Sequence, residues 1–115
     1  MEKELAIKVA EFMGYTDVIV SDNLFPGLYG KAHGEELRQK LPWYPLDLSA
    51  TYDLEEKVKE KHLEEYYTCA LLKLLGDKPG QSTAMWYWSV IHTTAKQKCI
   101  AAIEAQKVAF ETNNA

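Results

Sequence analysis

Trp86-Tyr87-Trp88-Ser89-Val90-Ile91-His92-Thr93-Thr94-Ala95-Lys96-Gln97 changes its pattern within three residues, and the fold is read outward from that change. Residues 85–91 are aromatic and β-branched, which suits a pleated, packed surface and predicts a strand. Thr94 then offers a hydroxyl to the open N–H groups of a first helical turn. Gln97, three residues on, can reach back to the Thr94 N–H and complete a capping box. The helix that follows, from Thr94 to about Ala109, carries Cys99, Ala102 and Ile103 at helical spacing, with Phe110 at its end.

Upstream, residues 2–13 form a helix with Leu5, Val9, Phe12 and Met13 on one apolar stripe. Glu2 and Glu4 lie in its first turn, where the helix dipole favours negative charge, and Gly14 stops it. Val18-Ile19-Val20 reads as a short edge strand within 15–20, closed by the turn residues 21–23. Asp47 caps a second helix that runs to about Lys61, with Ala50, Leu54 and Val58 inward. The charged run 55–65 is expected to be a solvated face, with Glu55 paired to Lys59 one turn on. Residues 66–75 are apolar almost throughout, so periodicity does not separate helix from strand. Tyr66-Tyr67-Thr68-Cys69 and the turn Gly76-Asp77-Lys78-Pro79-Gly80 favour a strand antiparallel to 85–91, joined by a hairpin loop over 76–84. A helix from Leu63 is the alternative.

A chain of 115 residues with 47% hydrophobic and 26% charged residues is expected to be one ordered domain. The net charge of −4 argues against a broad phosphate-binding surface, so bulk nucleic acid is not an expected partner. Neither a charged-then-apolar leader nor a run of about 18 apolar residues is evident, so a soluble cytoplasmic protein without a membrane partner is expected. Cys69 and Cys99 lie in apolar stretches outside any Cys-x-x-Cys pattern and read as buried free thiols. The expected architecture is α+β: a small, mainly antiparallel sheet of about three strands with helices on both faces. An irregular loop spans 21–46, and 111–115 form a frayed tail.

Three features resemble a family of small phage-encoded proteins, the phage ABA (alpha-beta-alpha) sandwich domain. One is the first helix ending in Met13-Gly14-Tyr15. Another is Tyr44-Pro45-Leu46-Asp47-Leu48-Ser49-Ala50-Thr51-Tyr52 followed by Glu56-Lys57-Val58. The third is the aromatic strand ending in His92-Thr93-Thr94-Ala95-Lys96-Gln97-Lys98. Thr93 and Lys98 depart from the Ala and Arg of the family pattern, and 24–43 lies outside the resemblance. The resemblance implies a phage accessory protein with a three-layer fold. It implies no reaction.

The loop at 24–46 mixes rings and bases as no other stretch does. Tyr29, Lys31, His33, Arg38, Trp43 and Tyr44 are therefore the candidate ligand or partner contacts. A short helix is expected over 35–41, ended by Pro42. The bland alternative is a loop pinned to the core by its aromatics. Gly27-Leu28-Tyr29-Gly30-Lys31-Ala32-His33-Gly34 lacks the spacing of a phosphate-binding loop. Cys99 near His92 is the one nucleophile–base pair on offer, and Cys99 also fits an apolar stripe. His33, His62 and His92 are too far apart in sequence to suggest a zinc site. The expected function is binding without catalysis and without a cofactor. The expected partners are a host protein or a small nucleotide signal, held by a homo-oligomer in the host cytoplasm and serving counter-defence. The alternative is a structural or oligomerisation module with no ligand.

Overall fold

The computed structural model describes residues 2–22, 25–76 and 93–113. The fold is α+β, with four α-helices and one three-stranded antiparallel sheet among the described residues. In chain order these are α1 (Glu2–Phe12), β1 (Thr16–Ser21), β2 (Gly27–Lys31) and β3 (Gln39–Leu41). A single 3-10 turn follows (Tyr44–Leu46), then α2 (Leu48–Glu60), α3 (Glu64–Leu74) and α4 (Ala95–Asn113).

Local chemistry accounts for the helix ends. Gly14, at φ +103°, closes α1 with its N–H on Glu11 and the Tyr15 N–H on Ala10. Left-handed backbone of this kind satisfies the last carbonyls of a helix. At the end of α2 the same two bonds are made by His62 and Leu63, which donate to Lys59 and Val58. Here His62 rather than glycine holds the left-handed φ, +58°. The Asp47 carboxylate caps α2, accepting the Ala50 N–H at 3.1 Å. At the start of α4 the Thr94 hydroxyl accepts the Gln97 N–H at 3.1 Å. The Gln97 side-chain Oε1 accepts the Thr94 N–H at 2.9 Å, completing the expected capping box.

The sheet arises largely where the sequence reads as loop. β1 is the edge strand expected around Val18–Val20, but β2 and β3 lie inside the stretch 21–46. In place of a helix at 35–41 the chain bends and then pairs as β3, with Leu41 opposite Leu28 and Lys40 opposite Tyr29. β2 pairs with β1 through Ile19 opposite Tyr29 and Val20 opposite Leu28. Leu28, Gly30 and Leu41 face inward and Gly30 permits the close approach, since a Cβ there would meet the Leu41 side chain at 3.1 Å and Tyr15 at 3.2 Å. α1 packs against β1 and β2.

Residues 66–74 lie in α3 and Leu75 is its C-cap, so the run is a helix rather than the expected strand. Tyr67, Ala70 and Leu71 are its buried residues, at helical spacing, and Glu64 and Glu65 occupy its first turn. Thr68, a poor helix former, returns its hydroxyl to the Glu64 carbonyl at 2.8 Å. The expected strand over 85–91 and most of the expected hairpin loop over 76–84 lie outside the described residues.

α4 runs through the middle of the helical layer, touching α1, α2, α3 and the 3-10 turn. Its packed face is small: Cys99, Ala101, Ala102 and Ala105 are fully buried and Ala109 nearly so. Small side chains let neighbouring helices approach closely around it. The helix continues to Asn113, past the end expected at 109 and into the expected tail.

Candidate functional site

The six candidate contacts separate into different surroundings. Lys31 and Arg38 converge on Asp17, with the Lys31 Nζ 3.1 Å from Oδ2 and the Arg38 Nη2 3.1 Å from Oδ1. The Arg38 Nε also donates to the Asp17 carbonyl at 2.8 Å. Asp17 sits at φ +53° within the irregular step of β1. Hydrogen bonds from Lys31 and then Arg38 hold its carboxyl below the usual carboxylate value. The arrangement ties β1, β2 and the approach to β3 together, so both cations already have a carboxylate partner. The Tyr29 hydroxyl donates to the Phe25 carbonyl at 2.8 Å. His33 is exposed in the turn after β2, and Trp43 is half-buried against the core. Tyr44 is buried, and that burial pushes its hydroxyl pKa up. It is a core residue rather than a ligand contact. The structure therefore brings together Lys31 and Arg38 alone, around Asp17.

Cys99 is fully buried, and burial pushes its thiol from 9.0 up to about 12. Desolvation here outweighs any lowering by the nearby N-terminal end of α4, so Cys99 is not poised as a nucleophile. His92 lies outside the described residues. Cys69 is exposed, contrary to the expectation of two buried thiols, and neither cysteine is in a disulfide.

Glu55 does not make the expected pair with Lys59. Its carboxylate turns inward, accepting the Tyr67 hydroxyl at 3.0 Å and lying 3.3 Å from the Lys98 Nζ. One carboxylate thereby joins α2, α3 and α4. Burial first, and the Glu55 charge second, raise the Tyr67 pKa.

The open surface lies elsewhere, along α4. A groove of about 650 Å³ runs between α1 and α4, with Phe12, Ile103 and Phe110 on its apolar floor and rim. A smaller continuation of about 200 Å³ adds Leu5 and Ile100. On the far side of Ile100 a further depression of about 240 Å³ reaches Ala70 and Leu74 of α3. Phe110 is 68% exposed, although its spacing from Cys99 and Ala102 reads as core. Charged residues edge the main groove: Lys8 and Glu11 from α1, Lys107 and Glu111 from α4. Lys61 lies over the Phe12 ring, 4.1 Å from its centre, and burial lowers the Lys61 pKa.

None of the six candidate contacts lines these depressions. The sequence holds one signal of the groove. α4 carries a stripe of Ile100, Ile103 and Phe110 beside its alanine face. A helix that buries alanines has no room on that face for large rings, so the large stripe falls next to it.

No three histidine, cysteine or carboxylate side chains are grouped to hold a metal among the described residues. No described helix is long and apolar enough to cross a membrane. No family model, curated protein or solved structure matches the chain.

Proposed function

We propose that the chain works by binding another protein surface rather than by catalysis, and that the α1–α4 groove is where it does so. The observation that carries this reading is the apolar floor of the groove with Phe110 standing 68% exposed beside it. Aromatic side chains set among apolar neighbours and rimmed by charge supply most of the affinity in protein interfaces. The candidate contacts support a nucleotide ligand less well, because Tyr44 is buried and Lys31 and Arg38 are each already paired with Asp17. Within the same proposal, the resemblance to the phage family sets this binding in the cytoplasm of an infected host cell.

A photo-cross-linking residue placed at Gln106, inside the groove, tests the reading against the same residue at Glu56 on the exposed face of α2. The expected result in cells is a discrete protein adduct at Gln106, identified by mass spectrometry, and none at Glu56. No adduct at Gln106 overturns the reading. A thermal-shift panel of cyclic and ADP-ribose-type nucleotides gives the second arm. Saturation by a tight ligand at 100 times its dissociation constant adds roughly 2.7 kcal/mol, and a shift of that size identifies a nucleotide binder instead.

A further inference from the structure

We propose that the outer edge of β3 takes up an extended, acidic segment of another protein as a fourth strand. None of the residues involved lines the α1–α4 groove, so the two surfaces are independent. β3 pairs with β2 on one side, and no described residue pairs with it on the other. Gln39 and Lys40 are exposed, and Leu37, just before the strand, is 83% exposed. A strand edge offers a row of N–H and C=O groups that another polypeptide matches along its length.

Charged side chains commonly guard such an edge. Here they turn away from it. Arg38 reaches back across β2 to Asp17 in β1. The Lys40 chain lies over Gly27 of β2, where a Cβ would meet its Cε at 3.2 Å and its Nζ at 4.0 Å. The opposite edge of the sheet, along β1, is broken by the irregular step at Asp17, with its φ of +53°. A bulge interrupts pairing, so β3 rather than β1 is the edge open to a further strand.

Charge selects the occupant. Tyr29, Lys31 and Lys40 alternate with the inward Leu28, Gly30 and Leu41 and so stand on the outward face. A single carboxylate, Asp17, serves both Lys31 and Arg38, and Lys40 has no ion pair among the described residues. The face is therefore cationic in a chain whose net charge is −4. A copy of β3 paired antiparallel to itself about Gln39 sets Arg38 opposite Lys40, and like charges directly opposite are destabilising. A foreign strand with carboxylates at alternate positions instead sets one of them opposite Lys40, while its backbone extends the sheet.

Fluorescence anisotropy with labelled peptides on the full chain tests this. A peptide alternating glutamate and valine is expected to bind saturably. One alternating lysine and valine carries the wrong charge, and one alternating glutamate and proline keeps the charge but cannot pair as a strand. Each of these two is expected to bind at least about tenfold more weakly. Lys40→Glu, at an exposed position, is expected to lose about tenfold in affinity with its circular dichroism unchanged. Amide deuterium exchange is expected to slow in β3 when the glutamate–valine peptide binds. Failure of that peptide to bind overturns the proposal. So does a glutamate–proline peptide that binds as tightly, full affinity in Lys40→Glu, or protection confined to other elements. An oligothymidylate that binds where the peptide does not overturns it in favour of a nucleic-acid surface. The Gln106 cross-link reports on the groove alone, so the two readings fail separately.

Discussion

Replacing Tyr67 by Phe and Glu55 by Ala, singly and together, probes the tie between the three helices α2, α3 and α4. The Tyr67 hydroxyl donates to one Glu55 oxygen at 3.0 Å, and the Lys98 ammonium lies 3.3 Å from the other. A hydrogen bond to a charged group contributes about 1.5–3 kcal/mol. The Glu55 side chain is 36% exposed, and water screens it, so Tyr67→Phe is expected to cost about 1 kcal/mol. Glu55→Ala is worse. It leaves the buried tyrosine hydroxyl without an acceptor and the Lys98 ammonium, 15% exposed, without a counter-charge, a cost of about 2–3 kcal/mol together. In the double variant the hydroxyl is gone, so the loss of its acceptor no longer matters. The coupling energy is then about 1 kcal/mol. Urea unfolding followed by circular dichroism reads it, and thermal melts should show a spacing of roughly 4 °C per kcal/mol for a domain of this size. Single costs that add to within about 0.3 kcal/mol mean that the two residues do not act through each other, and the inward tie is then wrong.

Gly30→Ala is expected to lower stability by about 1–3 kcal/mol, because the new methyl meets Leu41, Tyr15 and Val18 across a closed sheet face. A higher melting temperature would show that this face has room to spare. Thiol titration of the native protein should consume the exposed Cys69 quickly and spare Cys99, with both reacting in denaturant. Two rapid equivalents in the native state contradict the packing of α4. Alkaline stability follows from burial. The folded state favours the neutral thiol of Cys99, whose pKa lies above the 9.0 of an open chain, so unfolding releases a proton once the pH passes that value. Stability is therefore full below pH 9.0 and declines as the pH rises toward about 12, by about 1.4 kcal/mol per pH unit from this group. Tyr44 and Tyr67 add to the decline above 10.0. Equilibrium unfolding in a pH series should show a shallower early decline for Cys99→Ala, and identical slopes in the two proteins refute the assignment.

The sequence by itself determined what depends on neighbours along the chain. The capping box of Thr94 and Gln97, the Asp47 cap, the stop at Gly14 and the inward faces of α1 and α2 all involve groups within one or two helical turns. Each is legible because a local hydrogen bond or a 3.6-residue period leaves its mark in the order of residues. The tertiary structure decided the rest. β2 and β3 are short and glycine-bearing or polar, and they become strands because β2 pairs with β1 on one side and β3 on the other and Asp17 binds Lys31 and Arg38. The apolar run of α3 suits either state until α4 offers its alanine face. Glu55 turns inward because Lys98 and Tyr67, distant in sequence, arrive on the same side. Phe110 stands in the groove because the packed face of α4 is taken by alanines and Cys99, and only packing reveals which of two adjacent apolar stripes is enclosed.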